Sequence, residues 1–222
     1  MTPDPTRSLY IAVEGPIGVG KTTLVSKLAE KLQSRIVLEE FEENPFLASF
    51  YLDRERYAFQ TQIFFLMSRF KQQRDLHQTD LFRPHIVSDY HLLKDRIFAG
   101  LTLDPHELQL YDTVYRALEE QILKPDVMVY LRANQSTLLE RIARRGRDYE
   151  KDFDPDYLMS LSRAYADFFK TYRKTPMVEV DTTELDVPGD PQAIEWVLNQ
   201  IQAAVSNDRT EAINAPGRSP FG

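Results

Sequence analysis

The chain of 222 residues contains no cysteine, so disulfide bonds, thiolate zinc sites and a cysteine nucleophile are excluded. It also lacks any apolar run near the roughly 18 residues that a membrane-spanning helix requires. Its first apolar run, residues 9–13, is too short for the core of a secretory signal peptide. These absences predict a cytoplasmic protein that has no membrane partner.

Positive charge is in short supply as well. The chain has 27 Lys and Arg residues against 34 Asp and Glu residues, which gives a formal net charge of −7. A surface that follows a phosphate backbone needs the opposite sign, so polymeric DNA or RNA is excluded as the main partner. Since 42% of the residues are hydrophobic, a chain of this length suffices for one large core. We expect a single domain over residues 1–205 and a flexible tail at 206–222, which holds two Pro and two Gly.

Short apolar runs without alternation are typical of strands that are buried on both faces of a sheet. Five such runs occur, at residues 9–13, 35–38, 85–88, 127–131 and 177–180. Amphipathic helical patterns lie between them, at residues 21–32, 46–76 and 105–123. This alternation predicts an α/β fold with a parallel five-stranded sheet, helices on both faces, and a ligand site at the carboxyl ends of the strands.

Glycine is sparse, yet three of the eight glycines lie within the six residues 15–20, just after the first predicted strand. The segment matches the phosphate-loop pattern G-x-x-x-x-G-K-[ST] in full, with residues Gly15, Pro16, Ile17, Gly18, Val19, Gly20, Lys21 and Thr22, followed by Thr23. Backbone N–H groups of such a loop converge on phosphate oxygens, Lys21 reaches the outer phosphates, and the Thr22 hydroxyl is a ligand for Mg²⁺. The loop predicts binding of ATP and Mg²⁺ and leaves open whether the acceptor is water, a protein or a small metabolite.

Asp89 follows the predicted strand 85–88 and therefore belongs to the same carboxyl edge as the phosphate loop. A carboxylate at that point either orders Mg²⁺ through water or accepts the proton of an attacking hydroxyl. The alternative is a turn aspartate without a chemical role.

A cluster of positive charge interrupts this acidic chain at Arg141, Arg144, Arg145 and Arg147. One interpretation is a solvated helix face. The other is an arginine lid that hinges at Gly146, closes over ATP and places guanidinium groups against the phosphoryl group in transfer.

A third candidate lies in the predicted helix 46–76, where Gln62 and Arg69 stand two turns apart on one face. Most aromatic residues of this helix are predicted to be core. Polar groups on so apolar a helix need partners or a ligand.

The order of these segments resembles the deoxynucleoside kinase family, whose members phosphorylate the 5′-hydroxyl of deoxynucleosides. The resemblance extends over residues 10–172. It rests on the segments E-G-P-I-G-V-G-K-T-T from residue 14, E-E-F-E-E-N-P-F-L from 39, F-Y from 50, the helix 62–69, S-D-Y-H from 88, D-R-I-F-A from 95 and R-G-R-D-Y-E from 145. It implies a P-loop kinase fold with an arginine-rich lid, and a homodimer.

The resemblance implies roles for residues of the acceptor side. Asp89 is the base toward the 5′-hydroxyl, and Glu39, or its neighbour Glu40, is the acidic residue beside that hydroxyl. Gln62 hydrogen-bonds the base edge. The other implied contacts with the nucleoside come from Arg69 and Asp95 at the same end of the pocket, and from Tyr51 and Glu150 at the 3′-hydroxyl.

On the donor side, the resemblance implies that Lys21, Arg145 and Arg147 take part in catalysis. Arg141, Arg145 and Arg147 form the lid over ATP. The residue after the carboxylate is usually Arg in the family, whereas this chain has Tyr90 followed by His91. The positive charge beside the phosphates must then come from elsewhere, either from Arg96 or from the lid.

The D-Y-H form resembles the bacterial deoxyguanosine kinase branch, whereas the deoxyadenosine branch tends to keep D-R-S. The resemblance therefore implies ATP-dependent 5′-phosphorylation of a purine deoxynucleoside, with deoxyguanosine favoured. Two other functions stay open. A nucleoside monophosphate kinase of the thymidylate kinase type shares the loop and the arginine lid, and a nucleotide-dependent switch needs no small acceptor.

The predicted helix 105–123 allows two interpretations. Tyr111, Tyr115 and Leu118 recur three and four residues apart, as in a helix face that packs on a core. The same face would also serve to pair with a second subunit in the homodimer that the family implies.

Overall fold

The computed structural model describes residues 8–40, 43–77, 85–147, 154–185, 187 and 189–214. Its strands are Tyr10–Glu14 (β1), Arg35–Val37 (β2), Ile86–Ser88 (β3), Val127–Arg132 (β4) and Met177–Asp181 (β5). All neighbouring strands are parallel, and their order across the sheet is β2-β3-β1-β4-β5. Every strand lies within one residue of its predicted limits, so the α/β class and the five-stranded parallel sheet are confirmed.

Eight α-helices lie in the described part of the chain. Their bounds are Lys21–Leu32 (α1), Leu47–Leu52 (α2), Arg54–Arg74 (α3), Leu93–Thr102 (α4), Pro105–Glu119 (α5), Gln135–Arg145 (α6), Pro155–Thr171 (α7) and Pro191–Asn214 (α8). Among these described residues, no helix combines the length and the apolar character that crossing a membrane requires.

The central strands direct alternate side chains into two cores, because successive residues of a strand point to opposite faces. One core packs strand residues against α1 and α8, with Ile11, Val13, Val129, Leu24, Leu28 and Val197 among its members. The other packs the remaining strand residues against α4 and α7, with Ala12, Met128, Tyr130, Ile97, Tyr165 and Phe169 among its members. Helices therefore cover both faces of the sheet.

A further core joins α3, α4 and α5 beside the sheet. Leu66, Leu92, Tyr111 and Tyr115 are buried in it. Of the two interpretations of the helix 105–123, this placement makes Tyr111 and Tyr115 core residues. The cluster fixes the position of α3, the helix that bears Gln62, relative to the sheet.

Three predicted limits differ from the structure. The predicted helix 105–123 ends at Glu119 as α5. The predicted helix 46–76 is divided into α2 and α3 at Asp53, whose backbone is not helical (φ −146°, ψ 86°) and whose side chain accepts a hydrogen bond from the backbone N–H of Arg56 (3.2 Å). The predicted domain boundary at residue 205 lies inside α8, which continues to Asn214. Between Pro191, its first residue, and Pro216 the chain has no Pro or Gly that would end the helix earlier.

Candidate active site

A cavity of about 950 Å³ lies at the carboxyl ends of the strands. One end is formed by the phosphate loop, α6 and the loop after β5, and the other by α2, α3 and the start of α4. The residues that line the first end include Gly15, Gly18, Lys21, Thr22, Thr137, Arg141, Arg145, Arg147 and Thr183. Those that line the second include Glu39, Leu47, Phe50, Tyr51, Thr61, Gln62, Phe65, Arg69, Lys94 and Phe98. Ligand pockets span about 300–1,000 Å³, so the cavity has room for a nucleotide and a second small molecule.

The phosphate loop connects β1 directly to α1, whose first turn begins after Gly20. Gly18 has a left-handed backbone (φ 83°), and a Cβ there would lie 2.8 Å from Leu138 O and from Ile142 Cγ1 of α6. The loop is thus packed against α6 at a distance that only glycine allows. Lys21 Nζ donates to Gly15 O (2.8 Å) and Pro16 O (3.1 Å). Burial and the charge of Lys94 lower the pKa of Lys21 to about 8.

Asp89 ties together the loops that follow three adjacent strands. Its Oδ2 accepts a hydrogen bond from Thr22 Oγ1 (2.7 Å), and its Oδ1 accepts one from Glu39 N (2.8 Å). Its own N–H donates to Val37 O at the end of β2 (3.1 Å). The carboxylate is therefore held at the point where the phosphate loop and the loop after β2 meet.

Thr22 and Asp89 present the oxygen ligands that Mg²⁺ prefers. Across the residues that the structure describes, no group of three or more His, Cys, Asp or Glu side chains could hold a metal ion by itself. Magnesium usually keeps several waters and is bound by one or two protein oxygens together with substrate phosphates. The donor set fits that mode of binding.

Glu39 is enclosed by two cations. Its Oε2 accepts from Lys94 Nζ (2.6 Å), and its Oε1 accepts from Arg69 Nε (3.0 Å). The guanidinium of Arg69 also forms an ion pair with Asp95, which is fully buried behind it and does not line the cavity. Burial opposes ionisation of Glu39, but the charges of Arg69 and Lys94 outweigh that effect and hold its pKa well below the usual range. Glu39 is thus a carboxylate that stays ionised.

Glu14, the last residue of β1, is fully buried beneath the loop that carries Asp89. Its Oε1 accepts from His91 N (2.6 Å), and its Oε2 accepts from the hydroxyl of Tyr165 (3.3 Å). Burial raises the pKa of Glu14 to about 7, against the opposing charges of Lys94 and Lys21. The contact with His91 fixes the backbone two residues after Asp89.

Gln62 presents an unused acceptor to the cavity. Its Nε2 donates to Thr102 Oγ1 (3.3 Å), whereas its Oε1 is buried and has no hydrogen-bond partner in the structure. The hydroxyl of the adjacent Thr61 is likewise buried without a partner. Buried polar atoms are nearly always paired, so these two atoms indicate a ligand that carries hydrogen-bonding groups. Tyr51 lines the same end, and the predicted Glu150 lies outside the described residues.

The arginine cluster divides into two groups. Arg141 Nη2 donates to Thr182 O (2.7 Å), and its Nη1 donates to Thr182 Oγ1 (2.9 Å) and Val19 O (3.2 Å), so this side chain ties the phosphate loop to the loop after β5. Arg144, Arg145 and Arg147 line the cavity near the end of α6. Gly146 ends that helix in a left-handed conformation (φ 66°), which turns the chain away from the helix axis.

Comparison with known proteins shows which family this chain belongs to. The family model described as deoxynucleoside kinase matches residues 11–206, which is most of the chain. The chain belongs to the deoxynucleoside kinase family. It is therefore an enzyme that uses ATP to phosphorylate a deoxynucleoside hydroxyl, and its architecture is the P-loop kinase fold.

Relatives of the kinase cover almost its whole length. It is 38% identical to the deoxyguanosine kinase of Bacillus subtilis (strain 168) over 192 aligned residues. The alignment covers 86% of this chain and 90% of the relative. It is 31% identical over 211 residues to the deoxyadenosine/deoxycytidine kinase of the same organism, and this alignment covers 91% of this chain and 96% of the relative. The solved structure of deoxyadenosine kinase from M. mycoides with bound dATP has a TM-score of 0.77 and 31% identity, and covers 87% of this chain and 100% of its own.

The structure locates the residues that depart from the family pattern. The Tyr90 ring is buried, and its hydroxyl donates to Gln72 Oε1 of α3 (2.7 Å) rather than entering the cavity. Arg96 lies on the outer side of α4, where its Nε donates to Asp112 Oδ1 (3.1 Å) and more than half of its side chain is exposed. Of the two sources of positive charge named above, Arg96 therefore lies outside the cavity, whereas Arg145 and Arg147 of the lid line it.

Sequence reasoning missed Lys94, which reaches the cavity from the first turn of α4. A signal was present, because a lysine between Leu93 and Asp95 in a mostly apolar segment needs a buried partner. It also missed Thr61, which has no signal beyond its position beside Gln62. Thr182 was missed too, and its position directly after β5 at the carboxyl edge would have been the only indication.

Proposed function

We propose that this kinase transfers the γ-phosphoryl group of ATP to the 5′-hydroxyl of a purine deoxynucleoside, with deoxyguanosine as the favoured acceptor. The observation that carries the proposal is the series of contacts from Thr22 to Asp89, from Asp89 to Glu39, and from Glu39 to Arg69. It joins the phosphate loop to the helix that bears Gln62. A donor at the loop and an acceptor against α3 would meet at the two carboxylates.

In this reaction the bond from O5′ to the γ-phosphorus forms while the bond from that phosphorus to its bridging oxygen breaks. ADP leaves, and the hydroxyl proton passes to a carboxylate. The transition state is loose in most analyses, so orienting the hydroxyl matters more than strong basicity. We assign this task to Glu39, because it stays ionised and lies between Asp89 and the acceptor end of the cavity.

Asp89 then takes the other role that its position allows, which is to order Mg²⁺. The family resemblance implied instead that Asp89 is the base. Its contact with the Thr22 hydroxyl favours this assignment. Together Thr22 and Asp89 would hold Mg²⁺, which neutralises charge on the nucleotide phosphates when bound. Lys21, Arg145 and Arg147 would spread the negative charge that develops on the phosphoryl group.

The preference for deoxyguanosine is supported by Gln62 and by the relatives. The unpaired Oε1 of Gln62 accepts hydrogen bonds, and the Watson–Crick edge of guanine offers two donors, N1–H and the exocyclic amine. Identity to the deoxyguanosine kinase of B. subtilis is 38%, against 31% to the deoxyadenosine/deoxycytidine kinase.

A panel of acceptors tests the proposed function. The four deoxynucleosides and their 5′-monophosphates are incubated separately with ATP and Mg²⁺, and the products are separated by chromatography, with Lys21→Met as the control for contaminating kinases. We expect deoxyguanosine to give the monophosphate with the highest kcat/KM. Formation of diphosphates from the monophosphates would support a nucleoside monophosphate kinase instead, and loss of ATP that no acceptor accelerates would support a switch.

We also propose that the kinase is a homodimer. Met67, Leu101 and Leu110 are exposed on the successive helices α3, α4 and α5, and exposed large apolar side chains favour association. Sedimentation equilibrium measures the mass directly. We expect twice the chain mass of 25.8 kDa, and the mass of one chain at micromolar concentration would contradict the proposal.

A further inference from the structure

Lys94 is a lysine buried in the cavity at the start of α4. Its side chain is 6% exposed, and its Nζ donates to Glu39 Oε2 (2.6 Å). A lysine ammonium has three donors, and the other two have no hydrogen-bond partner among the described residues. A buried charge of this kind needs further hydrogen-bond acceptors to offset the loss of hydration.

Lys94 lines the same cavity as Lys21, and repulsion from its charge is among the causes that lower the pKa of Lys21. Glu14 and Glu39 offset part of that repulsion. A phosphoryl group between the two ammonium groups would offset the remaining repulsion, because its oxygens are negatively charged and would attract both lysines. Two like charges in one cavity thus favour binding of an anion there.

Neither the residue after Asp89, where the family usually has Arg, nor Arg96 brings positive charge into the cavity. Tyr90, at the position directly after Asp89, is hydrogen-bonded to Gln72, and Arg96 is paired with Asp112 at the surface. Lys94 follows Asp89 by five residues and lines the cavity together with Lys21 and Thr22. The acceptor side of the carboxylates therefore has its own cation.

We propose that Lys94 is a catalytic residue that donates hydrogen bonds to the γ-phosphoryl group during its transfer, opposite Lys21. The inference rests on the proposed phosphoryl transfer to a deoxynucleoside and adds a residue to it. Lys21 would contact the phosphates from the donor side. Lys94 would contact the same group from the acceptor side while it holds Glu39 beside the attacking hydroxyl.

Kinetics of Lys94→Met and Lys94→Arg test this role, with Arg96→Met as the matched control, since it removes the same charge from the same helix outside the cavity. For Lys94→Met we expect kcat to fall about 100-fold, the size of effect seen when one transition-state donor is removed. The KM for deoxyguanosine should change little. Lys94→Arg should recover part of kcat, because it restores the charge, and Arg96→Met should keep the wild-type kcat.

A double-variant comparison separates direct contact from an action through Glu39. If Lys94 contacts the phosphoryl group, Lys94→Met lowers kcat further in a Glu39→Gln background. No further fall would overturn the proposal, as would an unchanged kcat in Lys94→Met or an equal loss in Arg96→Met. Thermal melting monitored by circular dichroism checks folding, and Lys94→Gln replaces Lys94→Met if the latter does not fold. A wild type inactive on every deoxynucleoside overturns the proposed function, whereas an active wild type with an active Lys94→Met overturns this inference alone.

Discussion

At the scale of single residues, the two carboxylates of the site are held by different neighbours. Asp89 accepts from the Thr22 hydroxyl and a backbone N–H, whereas Glu39 accepts from Lys94 and Arg69. A hydroxyl partner leaves a carboxylate available to a metal ion, and two cations keep a carboxylate ionised. The chemistry of each therefore follows from its partners rather than from residue type.

Replacing each carboxylate by its amide separates their roles. Asp89→Asn should raise the Mg²⁺ concentration for half-maximal activity, with a fall in kcat of at least tenfold. Glu39→Gln should lower kcat by a factor of about 100 without changing the Mg²⁺ requirement, within the range of general acid–base effects. Steady-state rates over a Mg²⁺ titration measure both. The reverse pattern would make Asp89 the base.

Gln62 should control which base is accepted. Gln62→Ala should raise the KM for deoxyguanosine at least tenfold and leave the KM for ATP unchanged, since the amide faces the acceptor end only. Gln62→Glu, which only accepts hydrogen bonds, should favour deoxyguanosine over deoxyadenosine more strongly than the wild type does. Competition between the two nucleosides gives the ratio directly, and an unchanged ratio would place base recognition elsewhere.

Glu14 should make stability depend on pH. Burial raises its pKa from an ordinary value of 4.5 to about 7, so the folded state binds the proton more tightly than the unfolded chain does. The resulting stabilisation is fully present below the unfolded pKa and is lost as pH rises through 7. The free energy of urea unfolding should therefore fall between pH 5 and pH 8 more in the wild type than in Glu14→Gln. Parallel pH profiles would contradict the assignment.

The sequence predicted the site residues that belong to motifs. It did not predict those whose position in the site depends on how helices pack. The phosphate loop and Asp89 lie at the predicted carboxyl edge because short buried strands end just before them. Asp95 was expected in the pocket, but it pairs with Arg69 beneath the cavity wall. Lys94 was missed, because the direction of a side chain on α4 depends on how that helix packs, which single-chain periodicity does not determine.

At the scale of elements, strands were easier to locate than the ends of helices. The apolar pattern of residues 46–76 is continuous, and the break at Asp53 comes from one capping carboxylate within it. The ion pair between Arg54 and Asp154 (2.8 Å) then ties the start of α3 to the start of α7. Such long-range contacts determine where helices begin, and periodicity within one segment contains no information about them.

Helix α4 offers a position at which stability should increase. Gly100 lies inside the helix, and a Cβ there would meet nothing within 4 Å. Gly100→Ala should raise the free energy of unfolding by about 0.5–1 kcal/mol, because alanine loses less backbone entropy in a helix. Gly146→Ala is the matched control and should lower it, since φ is 66° there. Urea denaturation of both variants measures the difference, and a destabilised Gly100→Ala would contradict the explanation.

At the scale of the whole molecule, the strand order decides what meets in the cavity. Sequence predicted five parallel strands, but the order β2-β3-β1-β4-β5 arises from how the helices pack across both faces. With β3 between β2 and β1, the loops that carry Glu39, Asp89 and Gly15 become neighbours. The site thus assembles from segments more than 70 residues apart in the chain.

Ligand binding should stabilise the molecule from both ends of the cavity. A ligand at about 100 times its Kd adds roughly 2.7 kcal/mol, which corresponds to a rise in Tm of about 5–10 °C for a chain of this size. Deoxyguanosine and a non-hydrolysable ATP analogue should each raise Tm, and together they should raise it further, because they occupy different ends. Single-stranded DNA should have no effect. A second ligand that reverses the shift of the first would mean that both compete for one end.

The division of the cavity into two ends has a consequence for how such an enzyme diversifies. Residues 47–69, within α2 and α3, supply most side chains at the acceptor end, whereas residues 137–187 supply much of the donor end. Substitutions that change the accepted base can therefore accumulate in one short stretch of chain while the ATP half is inherited intact. Exchange of that stretch between relatives should therefore change the accepted deoxynucleoside without changing the phosphate donor.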